Sequence, residues 1–296
     1  MKIAVSGASG FLGRALTARL EREGTQIVAL VRGAPRGAGE AAWSPLEGRI
    51  DAEALSGCDA VVHLAGESIA GRWTAARKQA IHDSRVVGTR TVAQALLRME
   101  SPPRVLVCAS AVGFYGNRGD EELKEGMFGG GSFLADVVTE WEKAAMAAQS
   151  PKIRVVPLRF GVILHRSGGA LARMLLPFKL GLGGKLGSGK QWMPWISLAD
   201  AVGAIRFAVQ TEALAGPTNA VGPEPVTNAE FTRALGRVLH RPTVATVPEF
   251  ALRMLLGEMA EELLFYSQKV LPVALQKHGY LFEHPTAEAA LRAALA

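Results

Sequence analysis

Three glycines near the amino terminus constrain the fold of this chain more than any other feature. Gly7, Gly10 and Gly13 directly follow the apolar run KIAVS and open a segment in which leucines recur at every fourth position. This pattern predicts a strand, a tight turn and a helix. Glycines with this spacing permit the turn, leave backbone N–H groups open to a pyrophosphate and let the helix pack closely on the sheet. The turn therefore predicts a dinucleotide site, with cofactor contacts from Gly7, Ser9, Gly10, Phe11, Leu12 and Gly13.

Apolar, β-branched runs alternate with segments of helical period along the first half of the chain. The runs are KIAVS, QIVALV, DAVVHLA, RVLVCAS and IRVVPLR. Their alternation with helices predicts an α/β fold with a doubly wound parallel sheet of the Rossmann type. The two longest helices are predicted over about 74–98 and 132–149.

The second half of the chain predicts a smaller, mainly helical portion on the substrate side. It contains a glycine-rich stretch, a strand-like QWMPWIS, a helix from about Leu198, a capping box formed by Thr227 and Glu230, and a helical tail from Pro248. We expect a Rossmann domain over 1–165 that also receives elements from 190–222. The substrate-side loop and a small C-terminal domain would then occupy 166–296.

Composition and sequence patterns indicate which kinds of partner and which cellular compartment to expect. The formal net charge is +6, but the basic residues are scattered and accompany no nucleic-acid-binding motif, so we expect no nucleic acid partner. Cys58 and Cys108 lie in apolar contexts that favour reduced thiols. No secretory pattern and no long apolar run is present, which predicts a cytoplasmic protein without a membrane partner. The six histidines form no metal-ligand pattern, and we expect His63 to be a packed strand residue rather than a metal ligand.

The end of the second predicted strand indicates which cofactor is preferred. NAD sites usually carry an acidic residue there that bonds the ribose 2′-OH. This chain instead has Arg32, with no acid in the stretch. A guanidinium binds a 2′-phosphate through paired, charge-assisted hydrogen bonds, so NADP(H) is favoured over NAD(H). The alternative is that Arg32 is a solvated loop residue.

Several motifs in combination resemble the extended short-chain dehydrogenase/reductase family, also called the NAD-dependent epimerase/dehydratase family. They are GASGFLG, DAVVHLAG, RVVGTRTVAQAL, VLVCASAVGFYG, VVPLRFGVIL and WISLADAVGAI. The segment LAGESIAGRW and the tail from VPEFAL resemble an atypical subfamily that carries a small C-terminal domain of unknown function. The resemblance implies an epimerase or oxidoreductase acting on a small molecule, with a nucleotide sugar as one candidate substrate. It also implies further cofactor contacts from Leu64, Ala65, Gly66, Glu67, Arg85, Ser110 and Arg159.

The proton-transfer pair of that family is missing from the helix that should carry it. The usual Tyr-x-x-x-Lys pair exchanges a proton during hydride transfer. Here the helix reads GSFLADVVTEWEKAAM, with Phe133 or Leu134 in place of the tyrosine and Val137 or Val138 in place of the lysine. None of these side chains has a proton to exchange. The usual mechanism is therefore excluded.

Two residues near the expected site remain as catalytic candidates. Ser110 would contact the nicotinamide or the substrate rather than act as a nucleophile, since no histidine base accompanies it in a nucleophile elbow. Tyr115 would be an alternative acid, or its ring would pack over the substrate or the core. Arg159 would line the cofactor or an anionic substrate, or form a structural ion pair.

Three functions remain open from the sequence. The first is an NADP(H)-dependent oxidoreductase or epimerase-like enzyme of atypical mechanism. The second is a non-catalytic NADP(H)-binding sensor or regulatory protein, and the third is a scaffold that binds no nucleotide. The apolar residues of the tail favour core packing, with a homodimer face or a membrane-surface helix as the alternatives.

Overall fold

The computed structural model describes all 296 residues of the chain. Short 3₁₀ turns at Pro45–Glu47 and Val112–Tyr115 and a π-helical turn at Glu261–Phe265 supplement the regular elements. In chain order these are β1 (Lys2–Ser6), α1 (Phe11–Arg22), β2 (Gln26–Val31), β3 (Glu40–Ser44), β4 (Arg49–Ile50), β5 (Ala60–His63), α2 (Ala75–Arg98), β6 (Val105–Ala111), β7 (Glu122–Leu123), α3 (Phe133–Met146), β8 (Arg154–Phe160), β9 (Val162–Leu164), α4 (Gly169–Lys179), β10 (Gly184–Leu186), β11 (Trp195–Ser197), α5 (Leu198–Gln210), β12 (Thr218–Ala220), α6 (Asn228–Leu239), β13 (Ala245–Val247), α7 (Glu249–Leu256), α8 (Glu258–Ala260), β14 (Lys269–Val270), α9 (Val273–Lys277) and α10 (Ala287–Leu295).

An eight-stranded sheet forms the centre of the molecule, in the order β12-β8-β6-β5-β1-β2-β3-β4. All neighbouring pairs are parallel except β3 and β4 at one edge. The chain winds outward from β1 to β4 and then returns to β5 on the other side of β1. The predicted doubly wound α/β class is therefore confirmed. Ligands of such sheets bind where the winding direction reverses, at the carboxyl ends of the strands, which here means beside β1 and β5.

Helices cover both faces of the sheet because successive strand residues point to opposite sides. Ile3 and Val5 of β1 pack in the same core cluster as Leu16 of α1 and Ile205 of α5. Ala4, between them, belongs to the opposite cluster, with side chains from α2 and α3. Each fully buried aliphatic side chain contributes about 1.5–3 kcal/mol to folding. These two layers hold the carboxyl edge of the sheet in place.

The smaller portion of the molecule has its own apolar core. Leu171 of α4, Phe231 of α6 and Leu291 of α10 are fully buried together. The predicted capping box is confirmed, since the Thr227 side chain accepts from the Glu230 N–H and the Glu230 carboxylate accepts from the Thr227 N–H. No helix in the chain has both the length and the apolar character that crossing a bilayer requires.

Some local predictions were wrong. The strand predicted over QWMPWIS covers only Trp195–Ser197. The edge strands β3 and β4 were not predicted, because EAAWS contains no β-branched residue. The tail is mainly helical, as predicted, but residues 266–272 lie outside its helices and include β14, which pairs with β7.

Candidate nucleotide-binding site

The glycine turn lies at the carboxyl end of β1 and has no room for larger side chains. Gly7 adopts a left-handed φ of +70°, and a Cβ there would lie 2.9 Å from the backbone nitrogen of Ala65. A Cβ on Gly13 would overlap the Gly7 carbonyl oxygen. Gly10 caps α1 without any side-chain hydrogen bond, and the first turn of α1 contains no acid. The N–H groups and partial positive charge of this helix end therefore remain free to bind an anion, as a pyrophosphate site requires.

The loop after β5 lies directly beside this turn. Ser6 pairs with His63 in register, and its Oγ accepts from the backbone N–H groups of Leu64 at 3.1 Å and Ala65 at 3.3 Å. The Ser6 hydroxyl hydrogen is then directed to His63 Nδ1, 2.6 Å away. Burial lowers the pKa of His63 to about 4, so its ring is neutral at pH 7 and the proton resides on Nε2. His63 thus supports the loop from within the sheet, as a packed strand residue.

Two arginines follow β2 without an acidic partner. Arg32 is exposed and lies two residues beyond Leu30, which pairs with Ser6 at the edge of the turn. Arg36 is exposed in the same loop, where only its backbone N–H is held, by Glu40 at 2.8 Å. Neither guanidinium takes part in an ion pair. Sequence reasoning missed Arg36, although the spacing RGAPR places a second cation four residues after Arg32.

Arg85 supplies a further cation beside the β5 loop. Its Nη1 donates to the Glu67 carbonyl at 2.9 Å, and its Cζ would lie 3.4 Å from a Cβ on Gly66. Burial lowers the pKa of Arg85 to about 10, so the group remains charged at pH 7. The Glu67 carboxylate instead pairs with Arg77 at 3.2 Å. Arg85 is therefore a half-buried guanidinium with no carboxylate partner, next to a predicted contact residue.

Three other predicted site residues, Ser110, Arg159 and Tyr115, are buried in the core of the protein. Ser110 is 4% exposed and donates to Glu142 Oε1 at 2.5 Å. Arg159 is 2% exposed and donates to both Glu142 oxygens at 2.7 Å. Of the two interpretations left open for Arg159, the structure has the ion pair. The structure thus places both side chains under α3, in contact with Glu142, and their predicted contact with a ligand stays a prediction.

Tyr115 extends the same buried network. It is fully buried, accepts from Arg159 Nη1 at 3.0 Å and donates to Asn219 Oδ1 at 2.8 Å. Burial raises the pKa of Tyr115, which disfavours the phenolate. This burial favours the packing alternative for Tyr115 over its role as an acid. Glu142, the centre of the network, was missed, although it continues the buried helix stripe of Leu134 and Val138 at four-residue spacing.

The positions of the missing Tyr-x-x-x-Lys pair are filled by apolar packing. Leu134 and Val137 are buried with Trp73, Ile81 and Met259, and Val138 is buried in the sheet core. Phe133 packs edge-on against Trp73 with ring centroids 5.2 Å apart. The positions that the family's tyrosine and lysine would occupy on α3 therefore carry no group that exchanges protons.

A carboxylate from the C-terminal portion caps α3. Glu262 accepts from Ser132 Oγ at 2.7 Å and from the backbone N–H groups of Phe133 and Leu134 at 3.0 Å each. A negative charge at a helix N-terminus is favourable. The tail is thereby fixed over the helix that carries the family's proton-transfer pair.

Both cysteines are free and buried, in agreement with the prediction of reduced thiols. Burial raises the pKa of the Cys108 thiol to about 12. No group of histidine, cysteine, aspartate or glutamate side chains has a metal-binding arrangement.

Comparisons with known proteins identify the family of the chain. A model of the NAD dependent epimerase/dehydratase family matches residues 3–222, and a domain of unknown function, DUF1731, matches residues 247–294. Epimerase family protein MT2273 of Mycobacterium tuberculosis is 44% identical over 290 residues, covering 98% of this chain and 96% of that protein.

Two solved structures extend the similarity to the fold. The human epimerase family protein SDR39U1, crystallised with NADPH, has a TM-score of 0.90 and 35% identity, with 99% and 98% of the two chains covered. The nucleoside-diphosphate sugar epimerase of Corynebacterium glutamicum has a TM-score of 0.81 and 35% identity, with 98% of this chain and 57% of that chain covered. The chain belongs to the NAD dependent epimerase/dehydratase family.

Proposed function

We propose that this protein is an NADP(H)-binding, epimerase/dehydratase-like oxidoreductase of atypical mechanism that acts on a small molecule. The observation that carries the proposal is the glycine turn, whose helix N-terminus is uncapped and whose neighbouring loop contains two unpaired arginines. A Cβ on Gly7 or Gly13 would collide with the backbone of the turn or of the β5 loop, so these glycines allow the close-packed turn that a dinucleotide site requires.

Arg32 and Arg36 support NADP(H) over NAD(H). Both guanidiniums are exposed beside the end of β2, where a 2′-phosphate would lie in this fold. Two unpaired cations stabilise a dianionic phosphate, and the loop brings no exposed acid to replace them. The relative SDR39U1 was crystallised with NADPH, which agrees with this preference.

The nicotinamide of a bound cofactor would supply or accept the hydride. Within this chain, Arg85 is the cation placed to stabilise negative charge on a ligand beside Gly66, since its guanidinium has no carboxylate partner. The apolar side chains that replace the family's proton-transfer pair on α3 offer no proton. Proton transfer would therefore use a solvent molecule or the substrate itself.

A non-catalytic NADP(H) sensor is the second candidate function. The burial of Ser110 and Tyr115, together with the apolar replacement of the family's proton-transfer pair, favours it. The two functions share the cofactor site and differ only in turnover.

Cofactor titrations and a turnover screen test both candidates. We expect NADPH to bind at least about tenfold more tightly than NADH, and Arg32→Ala with Arg36→Ala to remove this difference without weakening NADH. Arg98→Ala, an exposed arginine at the far end of α2, is the matched control. A tenfold preference for NADH would overturn the assignment. NADPH oxidation in a screen of carbonyl compounds and nucleotide sugars supports the enzyme, and tight binding without turnover supports the sensor.

A further inference from the structure

A cavity of about 580 Å³ lies apart from the nucleotide site, between helices α1 and α5 and the C-terminal segment. No residue of the Gly7–Gly13 turn lines it. Its volume is within the range of about 300–1,000 Å³ that is usual for small-molecule sites. The molecule therefore has space for a ligand at the junction of its two portions.

The cavity has apolar surfaces from each of its three walls. Ala15 of α1, Val202 of α5 and Ala290 of α10 contribute small aliphatic side chains. Phe207 and Tyr280 add an aromatic wall, with their rings inclined at 66° and their centroids 5.4 Å apart. These surfaces suit an aromatic or aliphatic ligand body.

Three arginines give the cavity an excess of positive charge. Arg19 and Arg206 share a single carboxylate, Glu23, at 2.6 and 2.7 Å. Arg22 has no acidic partner and donates only to the Ala18 carbonyl, at 3.1 Å. Among the residues that line the cavity itself, Glu283 is the one carboxylate, against three guanidiniums.

One donor in this cluster is both buried and unused. The Nε of Arg206 has no hydrogen-bond partner, although the Nη2 of the same side chain is held by Glu23. A buried donor without an acceptor costs about 1–3 kcal/mol, and the same side chain lines the cavity and is 26% exposed.

We propose that this cavity is a second binding site, for a small organic anion that carries a phosphate or carboxylate group on an apolar body. The anionic group binds Arg22 and Arg206, and the body contacts Phe207 and Tyr280. The proposal is independent of the proposed cofactor, because none of these residues belongs to the nucleotide site.

Calorimetric titration with 1-naphthyl phosphate, 1-naphthoate and neutral 1-naphthol tests the site. All titrations contain saturating NADP⁺, so that the nucleotide site does not take up the probes. We expect one or both anions to bind, at least about tenfold more tightly than 1-naphthol. The ratio of the two anions then distinguishes a phosphate from a carboxylate ligand.

Variants locate the binding. Arg22→Gln with Arg206→Gln should weaken anion binding at least about tenfold, whereas Arg14→Gln on the first turn of α1 and Arg98→Gln should not. Ala293→Trp fills the cavity from its exposed rim and should also abolish binding without removing any charge. Unchanged affinity in both cavity variants overturns the proposal. Failure of both anions to bind, or equal binding of 1-naphthol, also overturns it.

Discussion

Arg159 donates from Nε and Nη2 to the two carboxylate oxygens of Glu142, each at 2.7 Å, and neither side chain is more than 8% exposed. The pair joins β8 to α3 beneath the carboxyl edge of the sheet. Removing one partner of such a buried pair leaves an uncompensated charge, which costs about 3–5 kcal/mol. We therefore expect Glu142→Gln to lower the free energy of unfolding by about this amount in urea denaturation.

Lys143→Gln, on the exposed side of the same helix, is the matched control and should change stability little. The double variant Glu142→Gln with Arg159→Met should be less destabilised than the sum of the single changes, because no lone charge remains. Additive effects would argue against the ion pair as the source of the stability.

The close approach at Gly13 gives a prediction for cofactor binding. A Cβ at this position overlaps the Gly7 carbonyl oxygen, so Gly13→Ala must displace the turn from α1. We expect the affinity for NADPH, measured by fluorescence titration, to fall at least about a hundredfold or to become undetectable. Gly126→Ala, at an exposed glycine with no neighbour within 4 Å of the added Cβ, should bind normally. Normal NADPH binding by Gly13→Ala would place the cofactor elsewhere.

The glycine turn was predictable because its spacing, the preceding strand and the following helix all specify one geometry. The burial of Ser110 was not predictable from the sequence. Strand β6 lies inside a sheet covered on both faces, so its residues are apolar on both sides and periodicity does not show which side meets a ligand. Ser110 donates to Glu142 of α3, on the face of the sheet that this helix covers. The partner that decides this orientation lies 32 residues away, and no local pattern specifies the contact.

Glu262 caps α3, and we predict that this contact anchors the C-terminal tail to the rest of the protein. Its carboxylate accepts three hydrogen bonds from residues about 130 positions earlier, and it is 9% exposed. Glu262→Ala leaves two backbone donors and a hydroxyl without their acceptor, so we expect a loss of about 1–3 kcal/mol and faster limited proteolysis between residues 249 and 272. Glu261→Ala, which removes a more exposed carboxylate paired with Arg253, should be cleaved at the wild-type rate. Equal cleavage of the two variants would show that Glu262 does not anchor the tail.

The neutral state of His63 predicts a dependence of stability on pH. Burial lowers the pKa of the folded ring to about 4, below the usual 6.5 of the unfolded chain. Between these values the unfolded state binds a proton that the folded state does not, so the free energy of unfolding rises as pH increases from 4 to 6.5. This single group contributes about 3 kcal/mol to the change, and above pH 6.5 its contribution is constant.

Urea denaturation of the wild type and of His63→Gln across pH 4–7 measures this contribution. Glutamine retains a side-chain acceptor for the Ser6 hydroxyl but does not titrate, so the variant should lose less stability than the wild type as the pH falls through this window. His278→Gln, a half-buried substitution in the C-terminal portion, controls for the removal of a histidine as such. Parallel pH profiles for the wild type and His63→Gln would mean that His63 takes up a proton in the folded state as it does in the unfolded chain. In that case Nδ1 would donate the hydrogen bond to Ser6 Oγ instead of accepting it.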